Sequence, residues 1–193
     1  MKAEDGLAVM SFDSRAGWDA WLARHHDSSK GLWLKIAKKG SGIDTVSHPE
    51  ALEVALCYGW IDGQRDRLDD SWFLQRFTPR RGRSRWSQIN CAKATDLIDR
   101  GEMQPAGLRE VEAAKADGRW GAAYAGQRTA TVPDDLQRAL EKNAPARAFF
   151  ATLDSRNRYA ILYRVQDAKK PETRARRIEQ FVAMLSEGKK LYP

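Results

Sequence analysis

The fold is decided by residues 60–79, which read WIDGQRDRLDDSWFLQRFTP. Two strand-like runs, 60–67 and 72–78, flank a short segment that contains two aspartates and a serine. These side chains hydrogen-bond to nearby backbone and so favour turns, which predicts a β-hairpin. Pro79 cannot donate to a sheet ladder, so we expect the second strand to end there.

Upstream of the hairpin, the sequence predicts a helix, a strand and a second helix. Ser14 is a suitable N-cap for a first helix that carries tryptophan and leucine on one face. Apolar residues alternate over 32–36, which is typical of a strand with one buried side. Pro49 then stands at the start of the next helix, where its missing N–H costs nothing.

Downstream of the hairpin, helices follow one another. Ser87 and Pro105 start two of them, residues 121–131 are small and polar and indicate a linker, and every later apolar pattern is helical. We therefore expect an α+β protein, in which a small antiparallel or mixed sheet with a hairpin is packed by helices and an all-helical C-terminal lobe follows. The expected domains are a core of residues 1–120, the linker, and a lobe of residues 132–193.

The composition excludes several classes of protein. The chain is 42% hydrophobic and 31% charged, and no apolar run approaches the roughly 20 residues that cross a bilayer. The apolar stretch 7–10 is too short for a secretory signal, and Cys57 and Cys91 lack CxxC spacing, so we expect free thiols in the cytoplasm. A net charge of +7 favours anionic partners.

Motifs of the common enzyme classes are missing from the sequence. It contains no GxGxxG, no GxxxxGK[ST], no HExxH and no GxSxG pattern. The three histidines, His25, His26 and His48, do not have the spacing of a metal site. We predict neither a metal nor a cofactor, and we favour a binding protein over an enzyme.

The candidate functional site lies where the hairpin meets the following helix. Five arginines and no acid occur between Arg76 and Arg85. The hairpin should deliver Arg80, Arg81 and Arg83 to the start of the Ser87 helix, where backbone N–H groups and the helix dipole favour an anion. Guanidinium groups add bidentate donors for a carboxylate or a phosphate.

Aromatic and amide side chains accompany these arginines. Trp60, Trp72 and Trp86 are expected to form a stacking wall for a planar ligand. The predicted ligand-binding residues are Trp60, Asp62, Gln64, Arg76, Arg80, Arg81, Arg83, Trp86, Ser87 and Asn90. Their ligand would be a small anion or an acidic protein surface.

Other interpretations of the same residues stay open. The arginines can form a solvated rim or pair with the hairpin aspartates, and such pairing is the favoured role of Asp62, which is only a weak catalytic candidate. An enzyme would use Asp62 with Arg76, Arg80 or Arg81 on a phosphorylated or carboxylated small molecule.

A nucleic-acid-binding module would combine this segment with the basic cluster of residues 169–177. For that cluster, however, a solvated helix face is the favoured interpretation. Basic residues at a helix start oppose the helix dipole, so we expect an acidic neighbour or a ligand there.

At these motifs the chain resembles a known family. The resemblance is carried by EALEVALCYGWIDGQ (50–64), RFTPRR (76–81), Ser84 with Trp86-Ser87 and Asn90, GEMQPAG (101–107), NRYA (157–160) and AKKPETRARRI (168–178). These motifs are similar to those of the YdeI/OmpD-associated, or bacteriocin-protection, family. The resemblance implies a role in envelope stress and in resistance to antimicrobial peptides, and association with a porin in the periplasm. It implies no catalytic residue, and a periplasmic location conflicts with the missing signal sequence.

Overall fold

The computed structural model describes residues 6–193, and the predicted core boundary at residue 1 lies outside this range. The chain forms two compact units that divide between Ala123 and Tyr124, within the predicted linker. The first unit contains β1 (Ala8–Met10), α1 (Arg15–His25), β2 (Leu32–Ala37), α2 (His48–Cys57), β3 (Trp60–Arg67), β4 (Trp72–Pro79), α3 (Gln88–Asp99) and α4 (Pro105–Ala116). The second contains α5 (Asp134–Glu141), α6 (Ala144–Thr152), α7 (Ser155–Asp167) and α8 (Pro171–Ser186).

The predicted hairpin forms one side of a four-stranded sheet, with β3 as an edge strand. β3 and β4 pair antiparallel, β4 pairs antiparallel with β2, and β1 adds in parallel to β2, which gives the order β1-β2-β4-β3. Asp69 Oδ1 accepts the backbone N–H groups of Ser71 and Trp72 and so fixes the turn, as the sequence predicts. Pro79 is the last residue of β4.

The core of the first unit is rich in tryptophan. The side chains of Trp18, Trp60 and Phe77 are fully buried, and Trp86 is almost so. The Trp18 ring lies 5.3–6.3 Å from the rings of Phe12, Trp21, Trp60 and Phe77. Burial of these large rings contributes to the hydrophobic free energy that stabilises the sheet and its helices.

The second unit is wholly helical and has a core of its own. Its buried apolar residues are Leu136, Leu140, Ala146, Phe150, Leu153, Ile161, Leu162, Val165, Ile178, Phe181 and Leu185. Asn143 and Asp154 cap α6 and α7 by accepting backbone N–H groups of the first turn.

The predicted fold class, α+β, is confirmed by these elements. The sequence did not predict the three-residue strand β1. Among residues 6–193, no helix combines the length and the apolar character that crossing a membrane requires.

Candidate functional site

Residues 80–87, which we name the basic turn, connect β4 to α3 through a network of hydrogen bonds. The N–H of Arg81 donates to Ser84 Oγ at 2.8 Å, and the N–H of Ser84 donates to the carbonyl of Arg81 at 2.7 Å. Arg119 Nη1 donates to the carbonyl of Ser84 at 2.9 Å. These bonds hold the turn in one conformation.

The α3 helix begins directly after the basic turn. Ser87 Oγ accepts the N–H of Asn90 at 3.1 Å, so these two predicted site residues form the helix cap. The N–H groups that precede Asn90 have no acceptor within the helix, and no acidic residue occupies its first turn. The N-terminus of α3 therefore keeps its positive electrostatic potential.

Of the four arginines in the basic turn, one is buried, one (Arg85) is partly buried and two are exposed. Arg80 is only 6% exposed, its guanidinium carbon lies 3.5 Å from the centre of the Trp86 ring, and its Nη1 donates to the carbonyl of Arg85. Arg81 and Arg83 are exposed. Arg80 thus stabilises the turn, while Arg81 and Arg83 present their charges to solvent.

The expectation of a tryptophan stacking wall is wrong. Trp60 and Trp86 lie in the core, where Trp18 and Trp21 meet Trp60 edge-on. The third member, Trp72, is partly covered by the Lys35 ammonium, which lies 4.0 Å from its ring centre. Rings that fill the protein interior cannot stack on a ligand or on nucleic-acid bases.

Trp60 and Arg80 do share a small cavity of about 230 Å³. The cavity is lined by His26, Asp27, Tyr58, Gly59, Trp60, Pro79, Arg80, Ala106, Arg109 and Glu110. Burial raises the pKa of Tyr58 to about 12, and the nearby Asp19 carboxylate adds to this shift. The Tyr58 phenol is therefore neutral across the physiological range. Because the lining mixes acids with cations, this cavity is a weaker anion site than the basic turn.

Asp62 forms a hydrogen-bonded contact with His48 that the sequence analysis missed. Its Oδ2 lies 3.1 Å from Nε2 of His48, and both side chains are about one-quarter exposed. His48 is the first residue of α2 and also lines a cavity of about 620 Å³, together with Lys38, Lys39, Ser41 and Thr45. The position of His48 at a helix start shortly before the strand that carries Asp62 was the only sequence signal for this pair.

The remaining predicted residues lie on the sheet. Gln64 is exposed and donates to Asp66, next to a β-bulge between Asp62 and Arg65. Arg76 on β4 is partly buried and lies opposite Trp33 of β2.

The structure does not gather the ten predicted residues around one recess. Arg80, Arg81, Arg83, Trp86, Ser87 and Asn90 follow one another along the basic turn and the first turn of α3. Trp60, Asp62, Gln64 and Arg76 lie on the sheet instead. Within residues 6–193, the hairpin aspartates contact His48, Gln64, Arg67 and turn backbone rather than the arginines of the basic turn.

The C-terminal basic cluster is partly structural rather than a uniformly solvated face. Arg174 forms a bidentate ion pair with Asp135 of α5. Asp135 is therefore an acidic neighbour of the kind that the helix dipole predicts near the start of α8. This pair lowers the pKa of Asp135 below its ordinary value. Arg177 donates to the carbonyl of Arg164 and to Asp167. Only part of the cluster is therefore available to a nucleic acid, which weakens that alternative.

The fold and this site define an α+β protein with a preorganised basic turn and a separate helical unit. Residues 10–110, more than half of the chain, match the model of a family described as Domain of unknown function (DUF8412), and the chain belongs to that family. Residues 129–188 match a second model, described as Bacteriocin-protection, YdeI or OmpD-Associated. The predicted resemblance is thus confirmed for the helical unit. Neither a curated protein nor a solved structure matches the chain.

Proposed function

We propose that the protein binds a small inorganic or carboxylate anion at the basic turn. One observation carries this proposal. Two exposed arginines, Arg81 and Arg83, lie on a hydrogen-bonded turn that leads directly into α3, and the first turn of α3 contains no acidic residue. A fixed turn lowers the entropy that the site loses on binding, and guanidinium donors match carboxylate and phosphate oxygens. Arg80 is buried against the Trp86 ring and stabilises the turn, so it does not contact the anion in this proposal.

The biological setting proposed for this binding is a cytoplasmic response to stress or to antimicrobial peptides. The description of the family that matches residues 129–188 names bacteriocin protection, which supports such a response. Both cysteines are free, which suits a reducing compartment.

A thermal-shift titration with phosphate, sulfate and citrate at constant ionic strength tests anion binding. An anion that binds only the folded state raises its stability, and about ten times the Kd should raise the Tm by about 3–5 °C. The double variant Arg81→Ala/Arg83→Ala should abolish this rise without loss of fold, since both side chains are exposed. Arg80 is left intact because its removal would disturb the buried stack on Trp86.

A matched control separates a site from general electrostatics. Arg24→Ala/Arg67→Ala removes the same charge from exposed positions of the same unit. We expect this control to keep the full thermal shift. Equal shifts in the two double variants, whether retained or reduced, would show that the basic turn is not the site.

A second candidate function, an enzyme acting on a phosphorylated or carboxylated small molecule, is favoured by the His48–Asp62 pair. A carboxylate that hydrogen-bonds one imidazole nitrogen orients the ring, and an oriented imidazole suits His48 to general base catalysis. Lys38 and Lys39 line the same cavity and offer positive charge to an anionic substrate.

This second function is tested by screening the protein against phosphate esters and carboxylate esters. Turnover should fall by about 100-fold or more in His48→Gln, because general base catalysis contributes at least that factor. The Asp62→Asn variant should reduce kcat while leaving the thermal stability nearly unchanged, since both side chains are partly solvated. Turnover that survives both substitutions would contradict an enzymatic role for the pair.

A further inference from the structure

A pocket of about 380 Å³ runs along α7 within the second unit. It is lined by Arg156, Tyr159, Ala160, Tyr163, Arg164 and Tyr192. The five lining residues of α7 follow an i, i+3, i+4, i+7, i+8 spacing, which places them on one helix face. The lining combines three phenol rings with two guanidiniums and contains no acidic residue. Its volume is near the lower end of the range for small-molecule sites.

Tyr192 forms the outer wall of this pocket and is anchored by a buried amide. Asn157 is 1% exposed, its Oδ1 accepts the N–H of Tyr192 at 2.9 Å, and its Nδ2 donates to the carbonyl of Tyr192 at 3.1 Å. A reciprocal pair of hydrogen bonds to a buried side chain fixes the backbone at this residue. The wall is therefore built into the fold of the unit.

The two guanidiniums converge on the Tyr192 ring. The guanidinium carbon of Arg156 lies 4.3 Å from the ring centre, and that of Arg164 lies 5.6 Å from it. Arg164 Nη2 donates to the Tyr192 hydroxyl at 3.1 Å. Arg164 Nη1 is buried and makes no hydrogen bond to any of residues 6–193. A buried charged donor without an acceptor is costly, and Arg164 is one of the residues that line the pocket.

The other two tyrosine rings are held by neighbours inside the same unit. The Tyr159 hydroxyl donates to the carbonyl of Ala125 at 3.0 Å. The Tyr163 ring meets the Tyr124 ring edge-on at 5.3 Å between centres. Fixed rings offer flat apolar contact at a low cost in conformational entropy.

We propose that this pocket binds a small aromatic carboxylate. The arginine guanidinium donates two parallel hydrogen bonds to a planar carboxylate, and the tyrosine rings pack against the attached aromatic ring. The volume is sufficient for one ring with a short acidic substituent. Every lining residue of the pocket belongs to the second unit.

Benzoate, titrated into the full-length protein by calorimetry and by saturation-transfer NMR, is the probe. Each of three comparators lacks a feature of benzoate. Benzamide has the aromatic ring but no charge, cyclohexanecarboxylate has the carboxylate but no aromatic ring, and inorganic phosphate is an anion without any ring. We expect benzoate to bind at least about tenfold more tightly than any comparator, because only benzoate uses both the fork and the rings. In the Arg81→Ala/Arg83→Ala variant, which lacks the proposed anion site of the basic turn, phosphate binding as tight as that of benzoate would overturn the proposal, as would no binding of benzoate at about 10 mM.

Variants of the two arginines locate the site. Arg156→Gln removes an exposed cation, and Arg164→Lys keeps the charge but loses the fork, so each should weaken benzoate binding by about tenfold. Arg147→Gln, on the exposed face of α6, removes one charge outside the pocket and should bind benzoate as the wild type does. Unchanged affinity in Arg156→Gln, whose fold does not depend on this exposed side chain, would overturn the proposal even if Arg164→Lys proved unstable.

Discussion

Replacing Gly107 with alanine is expected to lower the free energy of unfolding of the first unit by about 3 kcal/mol or more. An alanine Cβ at this position would lie 2.3 Å from the carbonyl oxygen of Cys57, 2.4 Å from Sδ of Met103 and 2.6 Å from the carbonyl oxygen of Leu56. Two of these atoms belong to the backbone at the end of α2, so relief requires α2 and α4 to move apart. Alanine is the better helix former by about 1 kcal/mol, but the clash outweighs that gain.

Urea unfolding monitored by tryptophan fluorescence measures this effect on the first unit alone, since all seven tryptophans lie at or before residue 120. Gly82→Ala is the matched control, because no atom lies within 4 Å of a Cβ there and its φ is not positive. We expect the control to remain within about 0.5 kcal/mol of the wild type. An unfolding midpoint for Gly107→Ala equal to that of the control would show that α2 and α4 are not in close contact.

The local features of the fold follow from the sequence because they depend on near neighbours. The hairpin turn needs only Asp69 and the residues beside it, and the helix starts at Ser87 and Pro105 need only their own first turns. Strand β1 was missed since three residues carry no periodicity of their own. Its structure depends on parallel pairing with β2, some 24 residues away.

The candidate site was predicted less completely than the local features of the fold, because the exposure of a side chain depends on residues that are distant in the sequence. Trp60 and Arg80 both belong to a polar, arginine-rich stretch, yet both are buried in the structure. Trp60 is covered by Trp18 and Trp21 of α1, which no local pattern around the hairpin reveals. The sequence therefore located the basic turn but did not show which of its four arginines are exposed, namely Arg81 and Arg83.

The His48–Asp62 pair illustrates a different limit. The two residues are 14 positions apart, at the start of α2 and near the start of β3. Their contact depends on the tight connection between α2 and β3 at Gly59, whose φ of +73° is accessible mainly to glycine. A turn of this kind returns the strand toward the start of the helix, but its geometry cannot be read from residue types alone.

Replacing Trp18 with alanine is expected to destabilise the first unit by about 3–5 kcal/mol through loss of packing. The Trp18 side chain is fully buried, and its Nε1 donates to the carbonyl of Ala51 at 3.0 Å. The substitution therefore also leaves a buried acceptor on α2 without its donor, which adds about 1–3 kcal/mol. The sum approaches the whole stability of an ordinary domain, so we expect the first unit to be largely unfolded at 37 °C.

Two further variants separate packing from the hydrogen bond and from tryptophan loss in general. Trp18→Phe keeps an aromatic ring against Phe12 and Phe77 but lacks the donor, so it should retain the fold and lose less than half as much stability as the alanine variant. Trp72→Ala removes a partly exposed tryptophan and should cost far less than Trp18→Ala, because little cavity forms at the surface. Far-UV circular dichroism during urea unfolding follows all three variants. Equal losses of stability in Trp18→Ala and Trp72→Ala would contradict a core centred on Trp18. A larger loss in Trp18→Ala would show that the stability of the sheet, and of the basic turn that follows β4, depends on this aromatic cluster.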